Sequence, residues 1–170
     1  MNRCLVFLKI FNLLNKRSPN AQLEFLFTKF DKQTLKYLIL EVLNNYQRKK
    51  LDESNDEEFY SDPKFVYHLD ANFRQNLSDL YEREIDNYST VLDLMSSWDS
   101  YLPKGKKYKK VIGHGLNKQE LEKNKIFDSF WIQNFNLSQQ IPLDKESVDY
   151  CLMVAAWQYL QYPENLTKEI

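Results

Sequence analysis

The stretch Thr90-Val-Leu-Asp-Leu-Met-Ser-Ser-Trp98 constrains the fold of this chain more than any other segment. The residues from Thr90 to Leu94 are apolar and β-branched enough for a buried parallel strand, and small polar residues follow them. In an open parallel sheet, ligands bind outside the carboxyl ends of the strands. The pattern indicates a ligand site near Asp93 to Trp98, although an ordinary strand that leaves the core would look the same.

Four segments of the chain have the pattern of a short strand: 90–94, 110–115, 129–135 and 147–154. The last segment is apolar on both faces, which is typical of a central strand in a sheet. Either a helical pattern or a loop lies between successive strands, and this alternation is typical of a parallel sheet. The sequence therefore predicts an α/β fold.

The predicted helices begin at residues that can cap them. Asp70 is placed to cap a helix over 71–85, and Asn117 a second helix with Glu120 at the third position of a capping box. Near the end of the chain we expect a short helix over 157–162 and another that begins at Pro163.

The 170 residues are enough for one domain with its own core, preceded by an extension. Residues 1–50 are predicted to form an N-terminal helical extension, 51–58 an acidic and solvated linker, and 59–170 the main domain. Residues 1–14 are apolar, but Lys9 interrupts them and they are too short to span a bilayer. A helix that packs on the domain is expected, with an interfacial membrane helix as the alternative.

The charge balance of the chain excludes a strong global field, since 23 basic side chains oppose 24 acidic ones. The lysine-rich loop over 104–110 has no stacking platform or second basic patch beside it, so no nucleic-acid partner is expected. Cys4 and Cys151 match no metal-ligand spacing, and Cys151 falls in a predicted strand as a small apolar residue. These features predict no metal site and fit a reducing, cytoplasmic location.

Several of these segments, taken in order, resemble the class I S-adenosylmethionine-dependent methyltransferases of the type-11-like branch over residues 59–170. Val91-Leu-Asp-Leu stands at the first motif of that family, and Val111-Ile-Gly-His-Gly-Leu-Asn117 at its second strand. Ile141-Pro-Leu-Asp-Lys-Glu-Ser-Val-Asp149 is similar to the segment that leads into its fourth strand. The chain closely resembles a sub-branch with D-L-M-S-S-W as its first motif and G-H-G-M-N at the second strand. The resemblance implies a Rossmann-like partial parallel sheet of about four strands in the order 3-2-1-4, with S-adenosylmethionine as the cofactor.

The chain departs from the common family pattern at its motif residues. The three motif glycines fall on Met95, Ser97 and Asp99, so cofactor geometry must differ from the usual one. The acid that binds the ribose hydroxyls in the family falls on Gly115, and the acid beside the adenine falls on Asn134.

The resemblance implies roles for individual residues. Asp93 is expected near the amino-acid end of the cofactor, and Ser96 and Ser97 as hydrogen-bonding groups in the loop. Asn117 is expected to reach a ribose hydroxyl in place of Gly115. Loop capping for Asp93, and helix capping for the serines and Asn117, are the alternatives.

Two further cofactor contacts are expected from other segments. Asn134 can donate or accept a hydrogen bond at the adenine edge. Tyr60 and His68 lie in an extended segment that would fold over the cofactor, with His114 as a weaker candidate; simple packing is the alternative for each. No catalytic residue can be named, and the methyl acceptor, a small molecule or a protein, is unknown.

The family sheet has seven strands, and this chain matches only the first four. We therefore expect a C-terminally truncated methyltransferase-like domain, either active or inactivated by the loss of its C-terminal half, in which a partner or a second copy covers the edge of the fourth strand. A non-catalytic methyltransferase-like binding module and a different nucleotide-binding α/β protein are the alternatives.

Overall fold

The computed structural model describes residues 43–170. Four strands form one parallel sheet: β1 (Thr90–Leu94), β2 (Lys110–Gly115), β3 (Ser129–Ile132) and β4 (Tyr150–Met153). The strand order is β3-β2-β1-β4, and every pairing is parallel. The predicted Rossmann-like α/β sheet and its order 3-2-1-4 are confirmed.

The helices of the described residues are short, except for the one that precedes β1. They are α1 (Asp56–Phe59), α2 (Ala71–Glu84), α3 (Lys118–Lys123) and α4 (Pro163–Glu169), with a single 3-10 turn at Trp157–Tyr159. Most of the predicted N-terminal extension, residues 1–42, lies outside the described residues. Residues 43–50, its predicted end, form a turn and not a helix.

Both faces of the sheet are covered by apolar side chains. Successive residues of a strand point to opposite faces, so β1 contributes to two separate clusters. Val91 packs in a cluster with Leu77 and Tyr81 of α2. Leu92 and Leu94 pack in a second cluster with Leu166 of α4. Most residues of β1, β2 and β4 are therefore buried, as is typical of a parallel sheet, whereas β3 at the other edge is partly exposed.

The two predicted N-cap residues, Asp70 and Asn117, are confirmed. Asp70 accepts a hydrogen bond from the Phe73 N–H at 2.9 Å, and Asn117 accepts one from the Glu120 N–H at 3.1 Å. These caps satisfy amide groups that have no partner within their own helices. The cap at Asn117 begins α3 directly after β2, beside the carboxyl end of that strand.

Two strands are shorter than the sequence predicted. Beyond β3, the Asn134 side chain accepts the Asn136 N–H at 2.9 Å, which turns the chain away from the sheet. Beyond β4, Ala155 adopts a left-handed φ of 52°, which ends the extended backbone. Within the described residues β4 pairs only with β1, so it lies at an edge and not in the centre as its apolar composition predicted.

Between residues 43 and 170, no helix is both long enough and apolar enough to span a bilayer.

The buried position of Leu94 gives a stability prediction. Leu94 is 0% exposed, so Leu94→Ala leaves a cavity and is expected to lower the free energy of unfolding by about 2–5 kcal/mol. Leu137 is 74% exposed, and Leu137→Ala should change it by about 0.5 kcal/mol or less. Urea denaturation measures both variants, and equal losses would contradict the assigned core.

Candidate functional site

The carboxyl ends of the four strands form one edge of the sheet, here called the carboxyl edge. The loop after β1 bends sharply at Met95, whose φ of 51° lies in the left-handed region. Met95 stands where the resembled family has its first motif glycine, and a side chain in this conformation costs roughly 1–2 kcal/mol. The Met95 N–H donates to His114 Nδ1 at 3.0 Å, and the Ser96 N–H donates to the His114 carbonyl at 2.7 Å. These bonds fix the loop onto the end of β2.

His114 is a buried and neutral side chain at the centre of this edge. Its ring is 1% exposed, and it stacks on Phe135 with 4.0 Å between ring centroids. Because Nδ1 accepts the Met95 N–H, the proton lies on Nε2, which donates to the Gln133 carbonyl at 2.9 Å. Burial lowers the pKa of His114 to about 4, although the bond to Gln133 acts to raise it. His114 therefore packs against Phe135 and orients the loop after β1. This is the packing role given above as the alternative to a ligand contact.

Asp93 is the titratable group at the carboxyl end of β1. Its side chain is buried and accepts a hydrogen bond from Ser96 Oγ at 2.8 Å. Burial raises the pKa of Asp93 to about 7; the Ser96 hydrogen bond opposes this shift and the charge of Asp99 adds to it. A buried carboxyl group that titrates near neutral pH is typical of functional sites.

Gly115 is the last residue of β2, and the loop after β1 passes directly over it. A Cβ atom built at Gly115 would lie 2.6 Å from the Ser96 carbonyl oxygen, which is too close for any side chain. Gly115 therefore supports the approach of two backbones and offers no side chain to a ligand.

Glu120 is a buried carboxylate that joins three segments at the carboxyl edge. It accepts hydrogen bonds from Ser97 Oγ and from the Lys64 N–H at 2.6 Å. The predicted capping box is therefore only half formed, because the Glu120 side chain turns outward to Lys64 and Ser97 instead of back to the Asn117 N–H. The box position of Glu120 was visible in the sequence, but this bridging role was not.

Asn117 is fully engaged by the protein itself. Its Oδ1 accepts the Glu120 N–H, and its Nδ2 donates to the Tyr60 carbonyl at 2.8 Å and to the Ser61 carbonyl at 3.0 Å. The side chain is buried. Both its helix-capping role and its proximity to the segment that contains Tyr60 are observed.

Asn134 lies after β3 and contacts the segment that was predicted as a solvated acidic linker. Its Nδ2 lies 3.4 Å from Asp56 Oδ2, and Asn136 Nδ2 donates to the same oxygen at 3.0 Å. Lys50 pairs with Asp56 Oδ1 at 2.6 Å. Although burial acts to raise the pKa of Asp56, the hydrogen bonds from Lys50 and Asn136 outweigh it and lower the pKa. This part of the linker is therefore fixed to the domain.

Residues 48–67, here called the strap, run along the whole carboxyl edge. Near its start, Arg48 pairs with Glu164 of α4 and donates to the Gln161 carbonyl at 2.6 Å. Near its end, the Val66 carbonyl accepts from Trp98 Nε1 at 3.1 Å. The strap thus contacts the loops that follow β1 and β4, as well as Asn117 and Asn134.

Most of the residues predicted to bind a cofactor lie at this one edge: Asp93, Ser96, Ser97, Gly115, Asn117 and Asn134, with the backbone of Tyr60. The Tyr60 side chain is half-buried, and burial raises its pKa. His68 is exposed and forms no hydrogen bond with the others within the described residues. Sequence reasoning missed Asp56 and Asn136, because no local pattern marks a contact between such distant segments.

A surface groove of about 570 Å³ lies elsewhere, between the loop after β3 and α4. It is lined by polar residues that include Gln139, Gln140 and Lys168. None of the predicted cofactor-binding residues lines it, so the groove is not a candidate for the same site.

Comparisons with known proteins give a distant likeness. No family model and no curated protein matches the chain. The chain is similar to a solved structure of a complex between the Haloferax volcanii methyltransferase activator Trm112 and a protein described as a methyltransferase, with a TM-score of 0.47 and 22% identity. The match covers 58% of this chain and 47% of that one, so this chain spans about half the length of its solved neighbour. The α/β class of the chain follows from its own sheet and not from this likeness.

The close approach at Gly115 gives a second prediction. Gly115→Ala forces the Ser96 carbonyl to move and is expected to lower the free energy of unfolding by about 1–3 kcal/mol. A Cβ atom at Gly105 would have no other atom within 4 Å, and the φ of Gly105 is not positive, so Gly105→Ala should change stability by about 0.5 kcal/mol or less. Thermal or urea unfolding compares the two, and a neutral Gly115→Ala would contradict the loop position.

Asp93 and His114 give a third prediction, on the pH dependence of stability. The pKa of Asp93 is raised from 3.8 to about 7, so between these values the folded protein holds a proton that the unfolded chain has released, and stability falls as pH rises. The pKa of His114 is lowered from 6.5 to about 4, so stability rises with pH in that window. The two contributions oppose each other between pH 4 and 6.5.

Single variants separate the two contributions. Relative to the unsubstituted protein, Asp93→Asn should gain stability with rising pH by about 1.4 kcal/mol per pH unit in this window. His114→Gln should show the opposite relative slope. Denaturant unfolding at four pH values measures both slopes, and curves parallel to that of the unsubstituted protein would refute the assignment.

Proposed function

We propose that residues 59–170 form a methyltransferase-like domain that binds S-adenosylmethionine at the carboxyl edge. One observation supports this proposal above the others. The order β3-β2-β1-β4 brings three residues to one edge, as the resemblance implies: Asp93 near the end of β1, Asn117 after β2 and Asn134 after β3. Ligands of parallel α/β sheets bind at this edge.

The residues at the edge fit the cofactor in chemical type. Asp93 offers a carboxylate for the ammonium of the amino-acid end, with the Ser96 hydroxyl bonded to it, and Ser97 adds a hydroxyl bonded to Glu120. Asn117 and Asn134 offer amides for the ribose hydroxyls and the adenine edge. S-adenosylmethionine supplies a methyl group and its own leaving group, so this chain has to bind and orient it.

The protonation of Asp93 affects this binding role. Since its pKa is about 7, the side chain carries its full negative charge only above neutral pH. Attraction to a ligand ammonium group therefore increases from pH 6 to pH 8. No residue is assigned as a general base, and the methyl acceptor is left unassigned.

A non-catalytic methyltransferase-like module is the second candidate function. The observation that favours it is the engagement of Ser97, Asn117 and Asn134 by other groups of the chain. Such a module would act in the cytoplasm through a partner or a second copy that pairs with the outer edge of β4. Size-exclusion chromatography tests this part, since a dilute, folded monomer would contradict a second copy.

Calorimetric titration provides the test of cofactor binding. S-adenosylhomocysteine should bind with micromolar affinity, and Asp93→Asn should weaken it roughly tenfold through loss of the charge pair. Methylthioadenosine lacks the amino-acid end, so its affinity should be the same for both proteins. The exposed Asp79 of α2 supplies the control variant Asp79→Asn, which should bind both ligands as the unsubstituted protein does.

Three results would count against the proposal. No binding of S-adenosylhomocysteine at millimolar concentration favours the non-catalytic module. Tighter binding of a dinucleotide favours a different nucleotide-binding protein. Equal weakening of both ligands by Asp93→Asn would show that Asp93 does not contact the amino-acid end.

A further inference from the structure

We infer that the strap, residues 48–67, competes with the cofactor for the hydrogen-bonding groups of the carboxyl edge and must move before the cofactor binds. This inference rests on the proposed function and adds a regulatory element to it. Its basis is that strap groups accept both N–H groups of Asn117 and face one N–H group of Asn134, and these are the two amides that the cofactor would use.

The first occupied amide is Asn117. An asparagine side chain has two N–H groups, and here they donate to the Tyr60 and Ser61 carbonyls at 2.8 and 3.0 Å. Its oxygen accepts the first-turn N–H of Glu120 in α3. A ribose hydroxyl can therefore accept a hydrogen bond from Asn117 only if a strap carbonyl leaves.

The second occupied amide is Asn134, which faces the carboxylate of Asp56 in the strap. Lys50 and Asn136 hold Asp56 in this position, at 2.6 and 3.0 Å. An adenine nitrogen that accepts the Asn134 N–H now facing Asp56 would have to replace this carboxylate. The strap thus takes both N–H groups of Asn117 and one of Asn134, while Asp93 accepts its hydrogen bond from Ser96 and none from the strap.

The strap is anchored at both ends by groups outside these contacts. At the first end, Arg48 pairs with Glu164, and Gln161 Nε2 donates back to the Arg48 carbonyl at 3.0 Å. At the other end, Trp98 donates to the Val66 carbonyl, and its ring lies 4.7 Å from that of Tyr67. Either anchor can be weakened without replacing Asn117 or Asn134.

A lid that closes over a bound cofactor would behave in the opposite way. Such a lid adds contacts to the bound state, so weakening its anchors lowers affinity. A competitor stabilises the free state, so weakening its anchors raises affinity. The sign of the change in affinity separates the two cases.

The experiment compares two charge-neutral double variants. Arg48→Met with Glu164→Gln removes both members of the ion pair in the first anchor, so no unpaired charge is left behind. Lys118→Met with Glu122→Gln removes an ion pair of α3 whose side chains are 72% and 54% exposed, and serves as the control. Trp98→Phe weakens the second anchor independently and keeps most of the ring packing.

Calorimetry should show that S-adenosylhomocysteine binds the Arg48/Glu164 variant roughly tenfold more tightly, which corresponds to about 1.4 kcal/mol. Trp98→Phe should also bind more tightly, and the Lys118/Glu122 control should be unchanged. In hydrogen exchange, strap amides of the unsubstituted protein should exchange faster once the ligand is added.

Unchanged or weaker binding by both anchor variants, with binding by the unsubstituted protein intact, would overturn the competition and leave the proposed function standing. Slower strap exchange in the presence of ligand would also overturn it. Absence of binding by all of the proteins would overturn the proposed function, and the competition with it.

Discussion

The carboxyl edge depends on the hydrogen bonds of one buried imidazole. His114 accepts the Met95 N–H, donates to the Gln133 carbonyl and stacks on Phe135, so one ring links the segments that follow β1 and β3 to β2. The ring must be neutral, because a protonated imidazole has no acceptor for the Met95 N–H. This bond also holds the left-handed backbone at Met95, a conformation that glycine would adopt without strain. The geometry of the loop after β1 thus depends on hydrogen bonds to β2 and not on glycine residues in the loop.

The same loop has a close backbone approach of its own. The Ser96 carbonyl passes over Gly115 at the end of β2, where a Cβ atom would lie only 2.6 Å from the carbonyl oxygen. As a result, the loop lies against β2, and its hydroxyl groups bond to Asp93 and Glu120. Any ligand at this edge meets side-chain hydroxyls and a carboxyl group where the common motif offers bare backbone.

The sequence was sufficient to predict the features that depend on local chemistry. The strand at Thr90–Leu94, its parallel neighbours and the caps at Asp70 and Asn117 follow from apolar runs and from side chains that bond to nearby amides. The edge position of β4 followed from the order 3-2-1-4 that the resemblance implied. Its apolar composition alone predicted a central strand, because composition reports burial of both faces but not the number of strand neighbours. The contacts of Lys64 with Glu120 and of Asn134 with Asp56 join residues 56 and 78 positions apart, and no periodicity encodes them.

The strap also explains why the edge can be stable without a ligand. A buried polar group that lacks a partner costs about 1–3 kcal/mol, so an edge with buried Asn117, Glu120 and Asn134 needs partners in the free protein. The chain supplies them itself, and a ligand that makes the same bonds gains little net free energy. A net gain in binding free energy must come from polar groups that have no hydrogen-bond partner in the strap. Asp93 is a buried carboxyl group of this edge that receives no strap hydrogen bond, so a cationic ligand group beside it would decide both affinity and specificity.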